Sequence, residues 1–293
     1  MSPSRLAGCG VLAVVLVLTG CAAGAQGDGA DAAGRYDDPF DLPLEQRFVD
    51  LELYGAAVNA FMGECMASAG WEYPVGTWDL SQEGVRSYSS LGYPNLAPDL
   101  VDAYGYRSAP DPREVVAPRD FSEVVPPDRQ EEFDVAARSC VKESDAAVPD
   151  VAPPGNVFLQ LNSKSRAATV GHPAVEAGIE RWRQCVERAR PPLGDPTDGP
   201  DGFRSSVLTA VDARDHPGEV DTMMLEAPPD EIEAARIDVE CRQQSHYDST
   251  YFSVIGEAQE RLLVEKKDAI EKAEKTMGEI QQAIDHYVGE EQG

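Results

Sequence analysis

The most definite chemistry available to this chain lies in its six cysteines, Cys9, Cys21, Cys65, Cys140, Cys185 and Cys241. A thiol can be acylated, oxidised to a disulfide or used as a metal ligand, and spacing separates these uses. No two are arranged as C-x-x-C, which argues against a zinc site and against a thioredoxin-like redox pair. Catalytic signatures are missing as well: there is no G-x-S-x-G elbow, H-E-x-x-H helix, P-loop or dinucleotide-binding glycine fingerprint. The histidines His172, His216, His246 and His286 are isolated from one another. His246 with Asp248 is the nearest thing to a base and its orienting acid, and a chance pair of that kind is expected among 52 acidic residues. The loop from Asp195 through Asp198 to Asp201 carries three carboxylates but lacks EF-hand spacing and a closing Glu, so it reads as a turn, with calcium as the alternative. No motif selects a carboxylate pair for glycoside hydrolysis. The sequence therefore assigns no catalytic residue, no metal ligand and no cofactor site.

Cys21 stands apart. It follows Leu18-Thr19-Gly20 at the end of an apolar run from Leu6, and Arg5 is the only charge before that run. A short cationic head, an apolar core and small residues at the cut make residues 1–20 a secretory leader. Leu18-Thr19-Gly20-Cys21 resembles the lipobox, in which the cysteine is diacylated and then becomes the mature N-terminus. A membrane-spanning helix is the rival, but it needs about 20 apolar residues, and Gly8, Gly10 and Gly20 interrupt this run. A plain signal with a chance cysteine is the other alternative. Two acyl chains matter because one gives only reversible membrane binding. The expectation is a protein held at the outer face of the cell membrane by lipid on Cys21. Residues 21–43 are mainly Ala, Gly and Asp and read as a flexible tether of roughly 25 Å reach, with the fold beginning near Leu44.

With Cys9 and Cys21 accounted for, Cys65, Cys140, Cys185 and Cys241 form an even set in an oxidising compartment, the setting for two structural disulfides. The formal net charge is −27. So acidic a surface repels nucleic acid and anionic headgroups, which makes both poor partner candidates and leaves cationic partners and plain solubility open. About 250 residues beyond the tether suffice for one large or two small domains.

The elements that must position these thiols are helices. Val58, Phe61, Met62, Cys65, Met66 and Ala69 recur every three or four residues, as do Phe133, Ala137 and Cys140. Ile179, Trp182, Cys185, Val186 and Ala189 repeat the pattern, and so do Ala234, Ile237 and Cys241. Pro126-Pro127-Asp128 opens the second of these helices and Pro228-Pro229-Asp230 the fourth. Phe61-Met62-x-x-Cys65 loosely matches Arg181-Trp182-x-x-Cys185, so the chain reads as a duplicated unit, with coincidence among similar helices as the rival. Four cysteines allow three pairings, and duplication favours Cys65–Cys140 with Cys185–Cys241. The corresponding boundaries are 44–150 and 151–250 for the two cysteine-helix pairs, followed by 251–293 as a long C-terminal helix.

Residues 72–125 read as a loop whose aromatics, Trp78, Tyr88, Tyr93, Tyr104 and Tyr106 among them, pin it to the core or offer a binding surface. Leu100 to Tyr104 is expected as a short helix ended by Gly105. Residues 190–228 read as a second loop. In the C-terminal region a kink is expected around Ser245–Ser253 or at Gly256. Beyond it Leu263, Ile270, Met277 and Ile284 repeat every seven residues, a coiled-coil seam whose partner is either the chain's own first helix or another protein. Lys266, Lys267, Lys272 and Lys275 form a solvated face there, or an electrostatic foot on membrane or cell wall.

Together with the lipobox, Cys65-Met66-x-x-x-Gly70, Ala103-Tyr104-Gly105-Tyr106 and Ala235-Arg236-Ile237-Asp238-Val239-Glu240-Cys241 resemble uncharacterised lipoproteins of high-GC actinobacteria. The resemblance implies a secreted, helical protein, in some cases associated with an exporter. The expected fold is mainly α, disulfide-stapled, with long Pro/Gly/aromatic loops and a long C-terminal, coiled-coil-like helix. The expected function is non-enzymatic: an interaction or accessory protein of the cell envelope, engaging a protein partner through residues 255–288. The alternatives are a solute-binding lipoprotein of a transporter and a cell-wall hydrolase.

Overall fold

The computed structural model describes residues 35–84, 98–107, 109–116, 124–215 and 227–289. The leader and the lipidation candidate Cys21 lie outside them, as do Tyr88, Tyr93 and His216. The described residues are mainly helical, with nine α-helices: α1 Leu51–Ser68, α2 Pro98–Tyr104, α3 Gln130–Ala147, α4 Ala152–Arg166, α5 Pro173–Ala189, α6 Gly199–Asp215, α7 Pro229–Ser245, α8 Tyr247–Glu265 and α9 Lys267–Gly289. Thr77–Trp78 (β1) and Glu114–Val116 (β2) form a small antiparallel pair. None of the described helices is long and apolar enough to cross a membrane.

Local chemistry accounts for the helix ends. Asp50 caps α1, its carboxylate accepting from the amides of Glu52 and Leu53. Gly70, at φ +83°, turns the chain out of α1 so that the Trp71 amide donates to Met66 O at 2.9 Å. Gly105, at φ +60°, ends the expected short helix α2. The Pro-Pro-Asp segments lead into α3 and α7 as expected.

Three apolar clusters share the body. The first joins α1, α4, α8 and α9 with the arm that carries Tyr36, Leu42, Leu44 and Val49. The second gathers α2, α5, α6 and α7 around Trp182 and Phe203. The third is small, with Met62, Met66, Val125, Phe133 and Cys140 between α1 and α3. The seam of α9 is occupied internally: Ile270, Ala273, Met277, Ile280 and Ile284 are buried in the first cluster, and α9 packs chiefly on α1 and α4. Of the two partners open to it, the chain's own first helix is the one it meets. The two helices run parallel, because Arg47, just ahead of α1, pairs with Glu274, while Phe61 farther along α1 meets Tyr287.

Several expectations are corrected. Residues 190–228 are not one loop, since they contain α6, whose Phe203, Val207 and Val211 face the core. Helix α4 also lies where no helix was expected. The packing crosses the expected domain boundaries: α2 belongs to the first segment but packs on α7 of the second, and α4 of the second packs on α8 and α9. The long C-terminal helix is present as α9, and the kink expected around Ser245–Ser253 is present too. The chain breaks at His246, in left-handed conformation, and again at Lys266.

The tether also ends earlier than expected. Tyr36 and Leu42 are buried, and the buried Gln259 accepts from the Leu44 amide while its own amide donates to Asn162 Oδ1. Gly256 is no kink but a socket inside α8: a Cβ there would lie 2.2 Å from Tyr36 Cδ2. Tyr36 OH donates to Glu260 Oε1 at 2.8 Å and Arg35 pairs with the same carboxylate. Gly256→Ala should therefore expel the Tyr36 ring. Overpacking costs about 1–3 kcal/mol, partly offset by about 1 kcal/mol from the better helix former. Hydrogen exchange should rise selectively over residues 35–44, and adding Tyr36→Ala should abolish the extra destabilisation. An unchanged arm in Gly256→Ala would contradict this account.

Candidate functional site

The four body cysteines form two bridges. Cys65–Cys140 ties α1 to α3 with Cα atoms 5.8 Å apart, and Cys185–Cys241 ties α5 to α7 at 5.5 Å. These are the pairings that duplication favours, although the segments inside the two loops differ: the β1–β2 pair with a short helix in one, α6 in the other. Both bridges staple one helix to another. The other polar candidates from the sequence are structural in their surroundings. Asp248 accepts from Arg242 Nη1 at 3.1 Å, while His246 is exposed at the α7–α8 break. Asp195 accepts from the Thr197 amide and caps a 3-10 turn ahead of α6. Among the described residues no group of three or more His, Cys, Asp or Glu is placed to hold a metal ion.

Polar chemistry concentrates in two places. One is buried. Along α7, Glu231, Asp238 and Arg242 lie on the face that packs into the second cluster. Asp238 Oδ1 accepts from Trp182 Nε1 and from Arg242 Nε, both at 2.8 Å, and Asp238 Oδ2 accepts from Tyr106 OH at 2.9 Å. Glu231 accepts from the Tyr106 amide and from Arg107 Nε and Nη2. Burial alone would lower the Arg242 guanidinium, but the charges of Asp238 and Asp248 outweigh it and hold it above the usual range. Burial, then the Asp238 charge, pushes the Tyr106 phenol well up. Burial also raises Asp248, against the pull of Arg242. Glu231 and Asp238 bind side chains of the turn after α2, of α5 and of α7 itself, and Asp248 of α8 shares Arg242, so their chemistry is the fastening of α2, α5 and α8 onto α7. The sequence carried a signal for this: charged residues at 231, 238 and 242 interrupt the same stripe as Ala234 and Cys241.

The second place is open to solvent. A groove of about 550 Å³ lies between α1, the segment that follows it and the end of α9. Its floor is the small-residue face of α1, Ala60, Gly63 and Ala67, and its walls include Trp71, Tyr73 and Tyr287. Glu64, Glu72 and His286 also line it. Gly63 brings the wall close, since a Cβ there would lie 2.6 Å from Val75 Cγ2. The rings are fixed from behind: Trp71 stands edge-on to Phe133 at 5.5 Å and Tyr287 edge-on to Phe61 at 5.8 Å. Burial raises the Tyr73 phenol. The loop aromatics thus divide: Trp71 is anchored by Phe133 and also lines the groove, while Tyr106 is core. The volume falls in the range of small-molecule sites.

Comparison with known protein-family models, curated proteins and solved structures finds no match.

Proposed function

We propose that this is a lipid-anchored, extracytoplasmic protein of the cell envelope that acts by interaction and not by catalysis, in the manner of an exporter-associated accessory protein. The observation that carries the reading is the pair of disulfides behind a lipobox: the thiols that remain once Cys9 and Cys21 are assigned to the leader and the anchor are all bridged, as an oxidising compartment favours. The non-enzymatic part rests on the buried carboxylates, both of which are bound by donors of the protein itself: Arg107 and the Tyr106 amide at Glu231, and Arg242, Trp182 and the Tyr106 hydroxyl at Asp238. Within residues 255–288 the apolar seam is core, so a partner would meet the outward polar face of α9 or the groove that His286 and Tyr287 help to line. The arm carrying Tyr36 docks on α8, and Arg47 meets Glu274; the groove lies about 20 Å farther along α9. Such a body would present the groove away from its tether.

Cys21→Ser tests the anchor. The variant should lose acyl labelling and move from the membrane fraction to the soluble extracytoplasmic fraction, with its two disulfides intact by mass. Equal membrane retention and labelling in the variant would refute lipid attachment at this residue.

A further inference from the structure

We infer that the groove between α1 and α9 is a binding site for a small organic ammonium ion, a cation carried on an apolar body. The inference concerns the groove alone and stands whether or not Cys21 is lipidated. Three features converge. The walls are aromatic, from Trp71, Tyr73 and Tyr287, and the negative face of such rings attracts a weakly hydrated cation. Two carboxylates, Glu64 and Glu72, line the same space, with no lysine or arginine lining it among the described residues. The floor is Ala60, Gly63 and Ala67, which leaves room for methyl or methylene groups and gives them an apolar surface.

Charge decides between ligand classes. Anions would meet two carboxylates on a chain of net charge −27 and are repelled. A neutral apolar ligand would strip water from the Glu64 carboxylate and bring it no opposite charge in return. A cation with an apolar body satisfies rings, floor and carboxylates together. The protein already uses this chemistry at the same ring: the Arg129 guanidinium, not itself part of the lining, sits 4.1 Å from the Trp71 ring centre. Trp71 is therefore a platform on which a cation is stable, held in place by Phe133 and by the turn at Gly70.

The test uses the mature chain and follows the Trp71 indole resonance while titrating choline, cadaverine and 3,3-dimethyl-1-butanol, the last being the neutral shape analogue of choline. Saturable shifts with at least one of the two cations are expected, with the neutral analogue at least about tenfold weaker. Glu64→Gln with Glu72→Gln should weaken cation binding about tenfold or more. Ala67→Leu, an exposed position on the floor, should block binding by bulk with no change of charge, and circular dichroism and melting temperature verify that each variant is folded. The proposal is overturned by no saturable shift with either cation, by equal binding of the neutral analogue, or by cation binding that survives both Ala67→Leu and the loss of the carboxylates. That last result would assign the effect to the acidic surface in general.

Discussion

Asp238→Ala is expected to destabilise the fold by about 3–5 kcal/mol, the usual consequence of removing one partner from a buried ion pair. The carboxylate accepts from three donors, Tyr106 OH, Trp182 Nε1 and Arg242 Nε, and is fully buried. Its removal leaves the indole and the phenol without an acceptor and Arg242 with only Asp248. Arg242 has no escape by losing its proton, because a guanidinium stays charged inside proteins. At about 2–4 °C per kcal/mol for a chain of this size, the melting temperature should fall by about 6–20 °C. Tyr106→Phe removes a single hydrogen bond and should cost only about 1 kcal/mol. Breaking the exposed Arg236–Asp102 pair by Arg236→Ala should leave the melting temperature unchanged, although its geometry at 2.7 Å is equally good. Thermal denaturation of the three variants decides the matter. Equal, small shifts for Asp238→Ala and Arg236→Ala would mean that the network does not fasten the second cluster.

What the sequence revealed follows from how far its signals reach. The cysteine helices were legible because each carries a stripe at helical spacing, and the stripe survives in the fold: Met62 and Met66, Trp182 and Val186, Ala234 and Cys241 are buried. Helices α4 and α6 were not, because their buried faces are short and diluted. The inward face of α4 includes Asn162 and Ser165, and α6 begins inside an Asp/Pro/Gly segment that reads as a turn. Only Phe203, Val207 and Val211, four residues apart, betray α6. Gly256 reads as a helix breaker until Tyr36, far away in sequence, is seen to fill the space that it leaves.

The groove illustrates the same limit more sharply. Each lining segment is ordinary by itself: a face of small residues on α1, a Trp-Glu-Tyr stretch after a glycine turn, and His286-Tyr287 near the end of α9. What makes them a site is the parallel packing of α1 on α9, fixed by Arg47 with Glu274 and Phe61 with Tyr287. The seam periodicity announced that α9 needed a partner. It carried no register, and register is what brings Tyr287 to Gly63. The buried Asp238 was visible as a charge among apolar stripe positions, but its partners Tyr106 and Trp182 lie on elements whose placement no local pattern dictates.

Removing the two disulfides should give different results, although their loops are of similar size. The bridges close 75 and 56 residues, and the chain-entropy model gives each an upper contribution of about 4 kcal/mol. Native packing decides how the loss appears. Helix α3 packs chiefly on α1 through the small third cluster, where Phe133 and Cys140 meet Met62, Met66 and Trp71. With Cys65→Ser and Cys140→Ser, little else holds it. Amide protection over residues 130–147 should drop by up to about a thousandfold, through an opening that leaves the rest of the body closed. Helices α5 and α7, by contrast, are held along their length by Trp182, Val186, Ala234, Ala235 and Val239 and by the Asp238 network. With Cys185→Ser and Cys241→Ser they should stay docked until the whole domain unfolds, so the loss appears as a lower global melting temperature, by about 10 °C. Hydrogen exchange read alongside thermal denaturation separates the two outcomes. Uniform loss of protection across the body in the Cys65/Cys140 variant would show that α3 is held by more than its staple, and that the third cluster is continuous with the first. Because the groove wall at Trp71 rests on Phe133 of α3, the same variant should also loosen the aromatic platform, linking the integrity of this bridge to the ability of the groove to hold a ligand.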